Sequence, residues 1–323
     1  MENPEKQHDS LQARASIHDH CLDKHEPDRP RQYEDAWIRT EWLIGREGLD
    51  KLRSATIAVF GLGGVGSYAA ESLCRSGVGR LILFDHDRVA ASNLNRQLIA
   101  THQTMNQLKV DAARDRLLSI NPECDVIVHP VFWPADVTAE ASRQYLPAST
   151  DYIIDAIDTV SAKINLVMIA AAREIPIISC MGTGNKLDPG KLCLTDLYQT
   201  QTCPLARIMR RELRKRKIAS LKVVYSTEAP RKPTRDQTQL MEFLDNSRTA
   251  SQKDSEPLLK QDSSHVLKAD TDESGQQTSC SAGMTADEPK KRLGPASIAF
   301  VPGSAGLMLA AAVVRDLLQT DTD

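Results

Sequence analysis

The residues best placed for chemistry lie between positions 59 and 158. The run Val59-Phe60-Gly61-Leu62-Gly63-Gly64-Val65-Gly66-Ser67 ends an apolar stretch in a glycine-rich turn that opens a helical pattern. Glycines without a β-carbon let backbone amides approach phosphate oxygens, and the helix N-terminus adds partial positive charge. The turn alone does not separate NAD, FAD and ATP. Asp85 closes the next apolar stretch, at a spacing suited to a ribose hydroxyl. The residues beyond it separate the candidates. Asp85-His86-Asp87 leads into Ser92-Asn93-Leu94-Asn95-Arg96-Gln97. A nicotinamide dehydrogenase has no use for that polar set at this place. An enzyme that transfers the adenylyl group of ATP does: carboxylates organise Mg²⁺, and a guanidinium braces polyphosphate charge.

Elements to position these groups are legible around them. An amphipathic helical pattern runs from Tyr33 to Leu52 and feeds a strand over Thr56 to Phe60. The helix after the turn spans Val65 to Arg75, with Gly77 as its C-cap. Next come a strand Leu81–Phe84, a polar loop 86–97 and a helix Lys109–Ile120, the last stopped by Asn121-Pro122. Further strands are expected at 125–131, 152–157 and 176–180, with a helix over 161–173 between the last two. The alternation predicts an α/β fold: a Rossmann-like, doubly wound, mostly parallel sheet. Beyond Leu187 the pattern changes. Stretches 191–200 and 220–226 read as strands of a smaller C-terminal part carrying antiparallel strands. A strand over Ser297–Val301 and a helix over Ser304–Leu318 are expected to close the fold.

The expected organisation is a disordered extension over 1–31, an ATP-binding domain over 32–187, and a C-terminal part of the same unit over 188–230 and 293–323. The polar stretch 231–292 reads as a disordered insertion. A net charge of −3 over 323 residues gives no global pull toward nucleic acid or anionic membrane. The N-terminus is polar and lacks the apolar core of a secretory signal. The apolar run Ala305–Val314 is too short to span a bilayer and reads as a buried helix. Seven cysteines show neither disulfide spacing nor a C-x-x-C pair, which argues against a four-cysteine zinc site and fits a reducing, cytoplasmic setting.

In order and spacing these motifs resemble the ubiquitin-activating-type adenylating superfamily. Gly61-x-Gly63-Gly64-Val65-Gly66, Asp85-x-Asp87, Ser92 to Gln97, Lys109 and Asp155-Ala156-Ile157-Asp158 stand where that superfamily carries its own motifs. The resemblance covers about residues 35–230 and 294–318. It implies that Gly61, Gly63, Gly64, Gly66 and Ser67 hold nucleotide phosphates, and that Asp85, with Asp87 beside it, serves the ribose and cofactor end. It implies that Asn93, Arg96 and Lys109 contact phosphates and stabilise charge during transfer, and that Asp158 holds Mg²⁺. Asp155 reads equally as a ligand or as a strand-end cap, and Ser67 equally as a phosphate contact or a simple helix-start residue.

Within the superfamily, Ser76-Gly77-Val78-Gly79, Ile120-Asn121-Pro122-Glu123-Cys124, Val224-Tyr225-Ser226-Thr227-Glu228 and Ser297 to Gly306 look like the tRNA threonylcarbamoyladenosine dehydratases. That resemblance implies activation of the nucleoside's carboxylate by ATP and closure of the modified base on itself. Intramolecular closure needs no protein nucleophile; Cys180, Cys193 and Cys203 remain candidates, with incidental thiols the commoner case. The implied partners are tRNA and a second copy of the chain, with a cysteine-desulfurase or sulfur-acceptor relay as a further option. No DNA and no stable membrane span are expected. The basic run Arg210, Arg211, Arg214, Lys215, Arg216 and Lys217, with Arg207 ahead of it, suits a tRNA backbone; the alternative is a solvated helix face. The competing activity is adenylation of the C-terminus of a ubiquitin-like sulfur carrier.

Overall fold

The computed structural model describes residues 36–232 and 295–319. The expected extension over 1–31 and nearly all of the stretch 231–292 lie outside them. Seven strands form one sheet: β1 (Thr56–Phe60), β2 (Arg80–Phe84), β3 (Asp125–His129), β4 (Tyr152–Asp155), β5 (Ile177–Cys180), β6 (Leu192–Asp196) and β7 (Lys222–Ser226). Their order is β3-β2-β1-β4-β5-β7-β6. All neighbours are parallel except β6 and β7, which pair antiparallel from Leu192↔Ser226 to Asp196↔Lys222. The C-terminal strands therefore extend the main sheet, β7 lying parallel on β5.

The helices are α1 (Ile38–Ser54), α2 (Gly66–Arg75), α3 (Lys109–Ile120), α4 (Val160–Ala172), α5 (Pro204–Lys215) and α6 (Phe300–Gln319). They cover both faces, so β1 and β4 are buried along their whole length. Under one face, Val59, Leu83 and Ile154 pack with Leu73 of α2, Val110 of α3 and Leu309 of α6. Under the other, Phe60 and Phe84 stack at 4.1 Å between ring centroids, with Trp133 edge-on to both. Such ring pairs add roughly 0.5–1.5 kcal/mol beyond their area burial. At the opposite end of the sheet from the glycine turn, Asp316 of α6 accepts from the Tyr152 hydroxyl at 2.6 Å and pairs with Lys222.

One expected element is different. Residues 297–299 form no strand, and Phe300 and Val301 already belong to α6. The alternation of Ser-Ile-Ala-Phe-Val imitates a strand, but Pro302 is tolerated in a first helical turn, where its missing amide has no intrahelical partner. Val301 is then buried on the helix rather than paired in the sheet. By length and composition α6 is apolar enough to cross a membrane, yet half of it is buried against the rest of the fold. The strands expected over 152–157 and 191–200 are shorter, ending at Asp155 and Asp196.

Candidate functional site

Strand order reverses between β1 and β4, and that switch point opens a crevice at the carboxyl ends of the strands. A cleft of about 580 Å³ lies there. Gly61, Gly63, Gly64, Asp85, Asp87, Asn93, Arg96, Lys109 and Asp158 all line it. Gly66 and Ser67 do not; they sit beneath it and shape the turn. Gly61 has φ +86°, and a β-carbon there would lie 2.7 Å from the Ala156 carbonyl oxygen. A β-carbon on Gly66 would lie 1.7 Å from the Gly61 carbonyl oxygen, so strand and helix can approach this closely only through glycine. The Ser67 hydroxyl donates to Gly63 O at 2.6 Å and accepts from the Leu98 amide at 3.3 Å. Among the described residues, the amides of Gly63, Gly64 and Val65 make no hydrogen bond, and α2 has no side-chain cap. Three free amides at a helix N-terminus form an anion-binding concavity.

Asp85 is buried and committed to the backbone. One carboxylate oxygen accepts from the Leu62 amide at 2.7 Å and the other from the Asp87 amide at 2.9 Å. It thus ties the glycine turn to the loop after β2. Burial raises its pKa, opposed by the Lys109 ammonium and the two amide bonds. Lys109 begins α3 with its side chain almost wholly enclosed; Nζ lies 2.7 Å from Asp87 and 4.0 Å from Asp85. Asn93 spends its carbonyl oxygen on the Ala90 amide. Arg96 is held by Ser92 O at 2.7 Å and Asn95 Oδ1 at 3.0 Å, and has no carboxylate partner among the described residues. Its charge is left for whatever enters the cleft. Gln97, which sequence marks only as part of a motif, also lines the cleft; it is buried, and its Oε1 has no hydrogen-bond partner.

Across the cleft, Asp158 is exposed and accepts a single hydrogen bond among the described residues, from Thr159 at 3.3 Å. Its remaining lone pairs face solvent, so among the described residues it is a carboxylate that could hold a hard divalent cation. Asp155 is no ligand. It is fully buried and paired with Lys163 at 2.9 Å, also fully buried. Sequence gives no hint of Lys163: within an apolar helix, a lone lysine carries no signal of enclosure. Phe132, half exposed with His86 edge-on at 5.0 Å, forms the cleft's aromatic rim and belongs to no motif that would announce it. Cys180 reaches the cleft, but burial pushes its thiol up to about 12. Cys203 is buried, and Cys193 lies partly buried in β6.

The basic residues lie on and just after α5, whose N-terminal Leu205 touches the cleft. At 1.5 Å per residue, Arg214 and Lys215 stand about 15 Å further along. Most of these cations are already engaged. Arg211, Lys215 and Arg216 all pair with Glu212, whose carboxyl they hold down to about 2. Arg210 donates to Thr200 O at 2.8 Å and to its hydroxyl, and Arg214 lies 5.2 Å from the Tyr198 ring centroid. Arg207 and Lys217 are exposed and have no ion pair among the described residues.

The model of the ThiF family matches residues 38–323. The tRNA threonylcarbamoyladenosine dehydratase of Bacillus subtilis (strain 168) is 38% identical over 282 residues, covering 87% of this chain and 94% of that protein. Its namesake in Escherichia coli (strain K12) is 38% identical over 216 residues, 63% of this chain and 79% of that one. The crystal structure of E. coli tRNA N6-threonylcarbamoyladenosine dehydratase in complex with ATP superposes with a TM-score of 0.65 at 26% identity, covering 89% of this chain and 95% of that one. The molybdopterin-synthase adenylyltransferase of Salmonella typhimurium is 34% identical over 175 residues, half of this chain.

Proposed function

The chain belongs to the ThiF family, and on that premise we propose that it is an ATP-dependent tRNA threonylcarbamoyladenosine dehydratase. It adenylates the carboxylate of threonylcarbamoyladenosine next to the tRNA anticodon, and the modified base then closes on itself with net loss of water. The observation that carries this reading is the cleft: free glycine-turn amides, Arg96, Lys109 and Asp158 converge on one space, in a chain that spans 94% of a dehydratase 38% identical to it.

The carboxylate attacks the α-phosphorus of ATP and displaces pyrophosphate. The resulting mixed anhydride carries AMP as a good leaving group, which a carboxylate lacks. A group already on the same nucleoside then attacks the activated carbonyl and expels AMP, an intramolecular step favoured by proximity. The amides of Gly63, Gly64 and Val65 receive phosphate oxygens. Arg96, tethered only to its own loop, meets the negative charge that develops on transfer. Lys109, fixed by Asp87, adds a second cation close to the phosphates. Asp85 organises the turn through Leu62 and presents its remaining edge to the ribose. Asp158 would hold Mg²⁺, which neutralises phosphate charge when bound. Neither step requires a protein thiol, in keeping with the high pKa of Cys180.

Arg207, Lys217 and, behind them, Arg214 and Arg210 form the face that meets the tRNA backbone; a homodimer in the cytoplasm completes the picture. Residues 32–187 supply the nucleotide site, and 188–230 with 293–323 complete the same catalytic unit. Adenylation of a sulfur carrier is the weaker alternative, since the adenylyltransferase match spans only half of the chain. Mass spectrometry of tRNA nucleosides from cells lacking this protein tests the reading: the cyclic nucleoside should vanish and threonylcarbamoyladenosine accumulate. Unchanged cyclic nucleoside, or ATP–pyrophosphate exchange that requires a small protein ending in Gly-Gly, would overturn it.

A further inference from the structure

Beneath the cleft lies a charged pair for which adenylation and ring closure have no use. Lys163 and Asp155 are both fully enclosed, 2.9 Å apart. Two features make the placement costly. A buried ion pair gives up the hydration of both charges, and well-packed apolar groups often serve stability as well or better. Lys163 also stands one turn inside the N-terminus of α4, where the helix dipole disfavours a cation.

The hydrogen bonds show where the pair acts. Lys163 Nζ donates to Ile157 O at 3.1 Å, and Asp155 Oδ1 accepts from the Ile157 amide at 3.2 Å. The backbone of Ile157 is thereby gripped at both its N–H and its C=O. Asp155 Oδ2 takes a further donor from the Ser179 hydroxyl in the neighbouring strand β5. The residue after Ile157 is Asp158, the exposed carboxylate on the cleft wall. A long helical side chain leans toward the helix N-terminus, so Lys163 reaches this peptide from within α4. Nothing else among the described residues hydrogen-bonds that peptide's carbonyl.

We propose that Lys163, Asp155 and Ser179 are positioning residues that clamp the Ile157 peptide and so fix the Asp158 carboxylate for a divalent cation carried with ATP. The proposal rests on Asp158 as the metal-holding carboxylate of the proposed function, and deepens that reading. The clamp touches neither nucleotide nor metal; it sets where one carboxylate stands. It therefore acts on the metal dependence of nucleotide binding rather than on nucleotide binding itself.

The test is calorimetric titration of the purified full chain with ATP, with and without Mg²⁺, alongside thermal melting. The paired substitution Lys163→Met with Asp155→Leu removes both charges together, so neither is left buried without its counter-charge, and it frees the Ile157 backbone from both of its side-chain bonds. It should melt cooperatively and bind metal-free ATP as the parent does, while the enhancement of ATP affinity by Mg²⁺ falls about tenfold. Ser179→Ala, which keeps the ion pair, should shift the same quantity about threefold, and it decides the matter if the double variant does not fold. Lys163→Arg in the otherwise native chain should retain most of the enhancement. Asp158→Asn is the control: it should abolish the enhancement. A folded double variant, or a Ser179→Ala variant, with the parent's Mg²⁺ dependence sinks the clamp if Asp158→Asn is impaired. An unimpaired Asp158→Asn instead sinks the reading of the site on which the clamp rests.

Discussion

The cleft and helix α5 both concentrate cations, but they differ in what those cations are bonded to. In the cleft, Arg96 hydrogen-bonds only within its own loop, and the amides of Gly63, Gly64 and Val65 are bare. On α5, one glutamate engages three cations and a carbonyl and hydroxyl engage a fourth. Counting positive residues would rank α5 first. The cleft instead offers one guanidinium without a carboxylate partner together with three backbone amides that nothing holds among the described residues. A charge whose partners are already supplied by the fold has less to gain from a ligand, because binding must first break what it has.

The largest expected effect breaks the cleft itself. Gly66→Ala puts a methyl group 1.7 Å from the Gly61 carbonyl oxygen, so the turn must rebuild; ATP binding measured by calorimetry should be lost. Next come the unpartnered charges. Arg96→Ala and Asp158→Asn should each lower kcat/KM on tRNA bearing threonylcarbamoyladenosine by about 10²–10³-fold with the melting temperature within a few degrees of the parent. A loss below tenfold would place them outside the chemistry. The α5 face should respond more weakly and by a different signature. Arg207→Ala with Lys217→Ala should raise the KM for tRNA several-fold and flatten the log–log salt dependence by up to about 1.5 units. Arg211→Ala with Lys215→Ala should do less than half as much, since those cations already belong to Glu212; an equal effect would erase the contrast between free and engaged cations. The smallest effect concerns Cys180. With its thiol near 12, about 0.1% is thiolate at pH 9. Alkylation at Cys180 in the folded protein, read by peptide mass spectrometry, should therefore stay negligible from pH 7 to 9 and rise only above that range. Rapid modification at pH 7 would reopen a thiol role.

The nucleotide half of the fold is readable in the sequence because its signals are local. The glycine turn needs particular residues at particular steps, and Asp85 comes after the second strand at a fixed interval, so motif and element announce each other. The closing segment misleads because Ser297–Val301 alternates like a strand, while the helix that claims Phe300 and Val301 depends on a distant surface to pack against, chiefly α2 and the sheet. Gly66 and Ser67 group with the phosphate ligands in sequence because they belong to the turn; only the path of the chain sets them beneath it, bracing Gly63 and Leu98.

By itself the sequence determined the parallel α/β plan and most of the charged groups that line the cleft, since both derive from periodicity and from spacing within a few residues. Tertiary structure alone decided which charges are spent. Asp155 and Asp158 sit three residues apart with the same side chain, yet one is sealed against Lys163 and Ser179 while the other faces the cleft. Ionic partners are drawn from wherever the fold brings opposite charge within about 4 Å, and burial, which sets the strength of that attraction, belongs to the whole packed molecule rather than to any stretch of chain.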